Sequence, residues 1–131
     1  MPTWWSSSHA RRPPDMPEID STSAIAARAL DGLFARQMAV AHNVANANSS
    51  GFSPIRVSFE SSLQQALRAG AAPAELRRAP IGVQVAAGES VRIDLEITHS
   101  AENALRYATL VGALDRRMQL LSLAINEGRN R

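Results

Sequence analysis

IDLEITHSAENALRYATLVGALDRRMQLLSLAIN, residues 93–126, runs without a proline, and its apolar positions recur at helical intervals. Ile97, Ala101, Ala104, Ala108, Val111, Leu114, Met118, Leu121 and Ile125 are spaced 4, 3, 4, 3, 3, 4, 3 and 4 residues apart. A mean spacing of about 3.5 residues aligns such a set along one stripe of an α-helix, and an apolar stripe in water needs a cover. Asp94, Glu96 and Glu102 sit where the helix dipole is positive and favour its start. Gly128, Arg129 and Arg131 suit its negative end. The spacing predicts a C-terminal helix that starts between Asp94 and Ser100 and continues to about Asn126, within a segment 93–127.

A second stripe lies near the other end. Ala26, Leu30, Leu33, Gln37, Val40, Val44 and Ala47 follow a 4, 3, 4, 3, 4, 3 spacing and predict an N-terminal helix over 21–48. Ser21, Thr22 or Ser23 can cap it. Gly32 is a soft spot inside it, costing about 1 kcal/mol relative to alanine. Asn46, Asn48, Ser49, Ser50 and Gly51 form a stop signal, and Pro54 keeps the helix from resuming.

The middle, residues 49–92, carries weaker patterns. Val57 and Phe59 alternate with polar neighbours, and 58–68 reads as a short helix with Leu63 and Leu67 on one face. Residues 69–90 are loop-like apart from Ile81, Val83 and Val85, whose period of two marks a short strand. Ser90–Leu95 alternates too and is the expected hairpin partner. Residues 1–20, rich in Pro and Ser, read as a disordered extension with Trp4 and Trp5 in it and Met16 as a second possible start. The expected fold is therefore mainly α, one domain over 21–131. Its long terminal helices pair as a coiled-coil-like antiparallel hairpin around a short irregular or β middle.

Composition excludes much. At 131 residues with 5% aromatic content and abundant alanine, the chain supports only a modest core. It has no cysteine, so disulfides, thiolate metal sites and cysteine nucleophiles are ruled out. All 14 basic residues are arginine, which removes any lysine-based phosphate loop. The net charge is only +2, so the high isoelectric point is no nucleic-acid footprint. No apolar run approaches the roughly 18 residues that span a bilayer. No apolar core of a secretory signal follows a basic start, and Pro13 and Pro14 interrupt any twin-arginine reading of Arg11-Arg12.

His9, His42 and His99 lack metal-ligand spacing and read as solvated surface groups. Asp94 and Glu96 read as helix-start acids rather than a catalytic pair. Arg77-Arg78 and Arg116-Arg117 read as solvated faces. No enzyme constellation emerges.

Residues 41–52, AHNVANANSSGF, are the sharpest local signal. Asn43 and Asn46 share a helix face and carry both donors and acceptors. They suit either a helix cap with a turn or hydrogen bonds across a helix seam. Gly51 lets the chain leave the helix, and Phe52 can pack back on the helix end or into a neighbour. Farther on, Glu102 and Arg106 are four apart, the order that favours an intrahelical ion pair of about 0.3–0.5 kcal/mol. Tyr107 flanks the stripe, as plain packing or as a subunit contact.

This segment resembles the N-terminal signature of the bacterial flagellar axial family, the rod, hook and hook-associated proteins, which reads A-x-N-x-A-N-x-x-T-P-G-[FY]. Asn43, Ala45, Asn46, Gly51 and Phe52 match; Ser49-Ser50 replaces Thr-Pro, and the usual following basic residue is displaced to Arg56. Ala101, Glu102, Asn103, Leu105, Arg106 and Tyr107 resemble the A-E-N-x-L-R-Y segment of small rod proteins of that family. The two likenesses cover roughly 24–68 and 93–126, and the short middle is similar to that of proximal rod proteins.

The resemblance implies a structural subunit with no catalytic residue, cofactor or metal. It implies export in an unfolded state through the flagellar type III apparatus, without a cleavable signal peptide, and helical assembly into the periplasmic rod that transmits motor torque. The implied partners are further copies, other rod proteins, the basal-body export gate and inner-membrane ring components, with no nucleic acid and no small-molecule substrate. Leu33, Val40, Val44, Val111, Leu114, Met118 and Leu121 of the stripes would join the motif residues in subunit contacts. The alternative reading is a small coiled-coil adaptor or chaperone-like protein of a secretion system.

Overall fold

Pro17 opens the first helix, at a position where the proline's missing N–H is not needed. The computed structural model describes residues 17–129, and its first element is α1, Pro17–Ala45. It is followed by β1 (Ile55–Ser58), α2 (Glu60–Arg68), α3 (Pro73–Leu76), β2 (Gly82–Val85) and α4 (Ile93–Arg129). The chain is thus mainly helical, with long terminal helices and a short mixed middle. Residues 17–20, assigned from sequence to a disordered extension, belong to α1 instead. The remainder of that extension, with Trp4, Trp5, His9 and Met16, lies outside the described residues, as does Arg131.

The stop signal works as its residues suggest, three residues earlier than expected from the 21–48 span. The Asn46 side chain donates to the His42 carbonyl at 2.8 Å, which satisfies an end-of-helix acceptor. Gly51 adopts φ +73°, a left-handed conformation that side chains resist. Phe52 then turns back, its ring edge-on to His42 at 5.4 Å between centroids.

β1 and β2 pair antiparallel, Ile55 opposite Val85 and Ser58 opposite Gly82. This corrects the expected hairpin of Ile81–Val85 with Ser90–Leu95. The strand partner lies upstream, and Ile93–Leu95 opens α4. The reason is tertiary: α1 already holds β1 in place, while helix geometry at 93–96 carries Glu96 into the interior.

The core lies on the side of α1 that faces the middle segment. Ala24 packs with Leu63, Leu76 and Ala79 beneath α2 and α3, and Val57 and Phe59 are buried farther along. Leu63 enters this core, whereas its expected face-mate Leu67 stays at the rim, about half exposed.

Gly32 has a use its propensity conceals. A Cβ there would collide with the Phe59 ring, over which the Arg36 guanidinium also lies, 4.9 Å from the ring centroid. Gly32→Ala should therefore destabilise by about 1–3 kcal/mol, overriding the helix-propensity gain of about 1 kcal/mol. Urea unfolding of the variant would read the sign directly.

Candidate functional site

Asn43, in the last turn of α1, is fully buried and reads the backbone of β1. Its Nδ2 donates to the Ile55 carbonyl at 2.9 Å, and its Oδ1 accepts from the Ile55 N–H at 2.8 Å. The side-chain amide thus replaces a neighbouring strand on the free edge of β1. Its Nδ2 also donates to Glu96 Oε2 at 3.1 Å.

Glu96, in the first turn of α4, is equally buried. Its Oε1 accepts from Arg56 Nη1 at 2.5 Å, with His99 Nδ1 at 4.0 Å. One helix turn farther, Ser100 Oγ accepts from Gln37 Nε2 at 2.8 Å. Beyond it, Asn103 Nδ2 donates to the Leu33 carbonyl at 2.8 Å and to Gln37 Oε1 at 3.1 Å. The α1–α4 contact is therefore antiparallel, and its central part is a polar seam. Buried polar groups are tolerable because nearly all are hydrogen-bonded; Asn103 Oδ1 is one that lacks a partner.

The seam corrects the expected stripe on α4. The residues turned to α1 are Glu96, Ser100 and Asn103, followed by half-buried Leu110, Leu114, Arg117 and Leu121. Ile97, Leu105, Met118 and Ile125 are each at least 63% exposed, and Ala101, Ala104, Ala108, Tyr107 and Val111 are exposed as well. α4 is held in this rotation by the bonds that Glu96, Ser100 and Asn103 make to Asn43, Arg56, Gln37 and the Leu33 carbonyl, which make their burial tolerable. On α1 the expected stripe does turn inward: Ala26, Leu33 and Val40 are buried, with Val44 at its exposed end.

Other assignments also shift. Glu96 is no helix-start acid in solvent, although Asp94 is, paired with Arg92 at 2.6 Å. Asn46 serves only its own helix end, so of the two motif asparagines Asn43 alone crosses the seam. The expected Glu102–Arg106 pair does not form. Arg106 points to Glu60 at 3.7 Å, because α4 docks beside the start of α2. His99 is half-buried against Glu96 rather than simply solvated. Gln37 stands on the expected α1 stripe, whereas Arg56 and Ser100 are seam residues that the sequence reading did not single out. Gln37 on an otherwise apolar stripe and the displaced basic residue Arg56 were the available signals.

Between α1, β1 and α4 lies an open cleft of about 250 Å³, lined by Arg36, Arg56, Glu60, His99, Glu102 and Arg106 among others. Most of these charges neutralise one another within the chain. Among the described residues no cluster of His, Asp or Glu could hold a metal ion, and no helix is long and apolar enough to cross a membrane.

Partial burial pushes the Glu60 carboxyl up, but hydrogen bonds from Arg36 and from the Phe59 and Glu60 backbone outweigh it and hold it below the ordinary value of 4.5. A depressed folded-state value means stabilisation that is present above pH 4.5 and lost as pH falls through the folded value. Melting temperature against pH should show a fall below that point that is shallower in Glu60→Gln. Equal slopes would remove the Arg36–Glu60 pair from the acid response.

No protein-family model matches this chain, and no curated protein matches it either.

Proposed function

We propose that this protein is a structural subunit of the proximal rod of a bacterial flagellar basal body, most similar to the FlgB type of rod protein. The observation that carries the reading is the convergence of its two family-like motifs. Asn43 of the first and Asn103 of the second both lie in the buried seam that joins the chain's ends. Residues that look like a signature in sequence are thus the ones that register the terminal helices.

The surface supports an assembling part. Among the described residues, sixteen large apolar side chains are exposed, eleven of them on α1 or the second half and start of α4 where a neighbouring helix could cover them. Burial of each Leu, Val or Ile against a neighbour would contribute on the order of 1.5–3 kcal/mol. Many weak helix-face contacts then suit a subunit that crosses a narrow export route unfolded and gains stability in the rod, beside further copies and other rod proteins.

Deletion of the gene, followed by electron microscopy of basal bodies, tests the assignment: rods should be lost beyond the inner-membrane ring. Point variants sharpen it. Val44 and Leu105 are 40% and 69% exposed, so Val44→Asp or Leu105→Asp should leave expression and helicity unchanged. Both should abolish incorporation into rods and reduce swimming on soft agar to background. Normal swimming in both would sink the assignment of these positions to subunit contacts.

A further inference from the structure

α4 is the longest element of the chain, yet no apolar residue of it is fully buried. The buried apolar residues, from Ala24 to Ala79, belong to α1, β1, α2 and α3 or to the short connections beside them. On α4 only Glu96 and Asn103 are buried, and both are polar. Leu110, Leu114 and Leu121, which turn to α1, are half-buried. Apolar burial is the main favourable term in folding, so the two parts of the chain are held with unequal strength. The part from α1 to β2 has a core of its own in Ala24, Leu63, Leu76 and Ala79.

What fixes α4 is a polar latch about two helical turns long. Glu96 is bonded to Asn43 and Arg56, Ser100 to Gln37, and Asn103 to Gln37 and the Leu33 carbonyl. The net gain from such bonds is small, because each replaces a bond to water in the undocked helix. Asn103 Oδ1 and Arg117 Nε are buried without a hydrogen-bond partner, and both lie on the side of α4 that meets α1. Undocking hydrates both atoms. The connection from β2, residues 86–92, is exposed apart from Ala86 and Val91 and turns at Gly88 with φ +82°.

We infer that α4 is a releasable arm, which leaves α1 as a unit while α1, both strands, α2 and α3 stay folded. Release uncovers the α1 stripe at Ala26, Leu33 and Val40, which is closed while α4 is docked. Anything that binds this stripe shifts the balance toward the open state. The arm is a property of the fold and holds whether or not the chain assembles into a rod.

Two alanines of α1 tell the local opening from global unfolding. Ala26 lies two turns before Leu33 and so opposite Leu110 of α4, whereas Ala24 packs against Leu63 and Leu76. The chain has no cysteine, so a single introduced thiol reports its own exposure. Ala26→Cys and Ala24→Cys, each in the full-length chain, are labelled with dithionitrobenzoate in native buffer and in low urea. Ala26→Cys should react about tenfold faster or more, because an opening less costly than global unfolding exposes it. Ala24→Cys should follow the global transition.

Adding Arg56→Ala leaves Glu96 unpaired only while α4 is docked. It should speed labelling of Ala26→Cys by about a hundredfold and leave Ala24→Cys near its starting rate. Asn103→Ala, which deletes the bonds to Leu33 and Gln37, should act in the same direction by a smaller factor. Equal rates and equal urea dependence at the two thiols would overturn the inference, since α4 would then leave only when the whole chain unfolds. Latch variants that speed both thiols alike would overturn it as well.

Discussion

Arg56→Ala is expected to lower folding stability by roughly 3–5 kcal/mol, the cost of leaving a buried carboxylate without its counter-charge. Glu96 has no exposed side-chain surface, whereas Arg56 remains 38% exposed, so the asymmetry matters. Losing the arginine forfeits a partly hydrated group at little direct cost. The Glu96 carboxylate left behind keeps only the Asn43 hydrogen bond and a histidine 4.0 Å away. Urea unfolding would measure the loss. The double variant Arg56→Met with Glu96→Leu should recover most of it, since an apolar pair of similar volume removes the desolvation penalty. A loss under about 1 kcal/mol in Arg56→Ala would mean that water reaches Glu96 and that the pair does not hold the helices together.

Asn43→Ala should cost about 3 kcal/mol by a different route. It leaves the Ile55 N–H and C=O without their side-chain partner, at about 1–3 kcal/mol for each buried group, and strips one donor from Glu96. Asn43→Asp is the more informative variant. It is nearly the same shape, yet it loses both Nδ2 donations and sets a second carboxylate beside Glu96. It should therefore be worse than alanine, and amide exchange at Ile55 should accelerate in both. If aspartate were tolerated better than alanine, the amide would be filling space rather than reading the strand edge.

Both variants act on groups that no local pattern in the chain exposes as partners. Leu33 and Val40 were legible because α1 is covered along one stripe for most of its length, and burial follows period directly. Gly51 and Phe52 were legible because a helix exit with φ above zero depends on neighbours in sequence. The length of α4 was legible for the same local reason. Its rotation was not. Two phases were available, one presenting Ile97, Ala101 and Ala104, the other Glu96, Ser100 and Asn103, and hydrophobic counting chooses the first.

The partner of β2 was hidden for the same reason as the rotation. Ile55 and Val85 are thirty positions apart, and what makes Ile55 a strand residue is the amide of Asn43. Glu96 likewise becomes a core residue only because Asn43 and Arg56 are already beside it.

The sequence by itself determined two long terminal helices, the place where the first one ends, and the apolar stripe by which the first is covered. Only the tertiary structure decided which face of α4 turns inward and which stays exposed. Helix formation and termination are settled by residues within a turn or two of each other. The choice of face depends on hydrogen bonds and charge pairs between distant positions, because Glu96 and Asn103 can be buried only where those partners meet them.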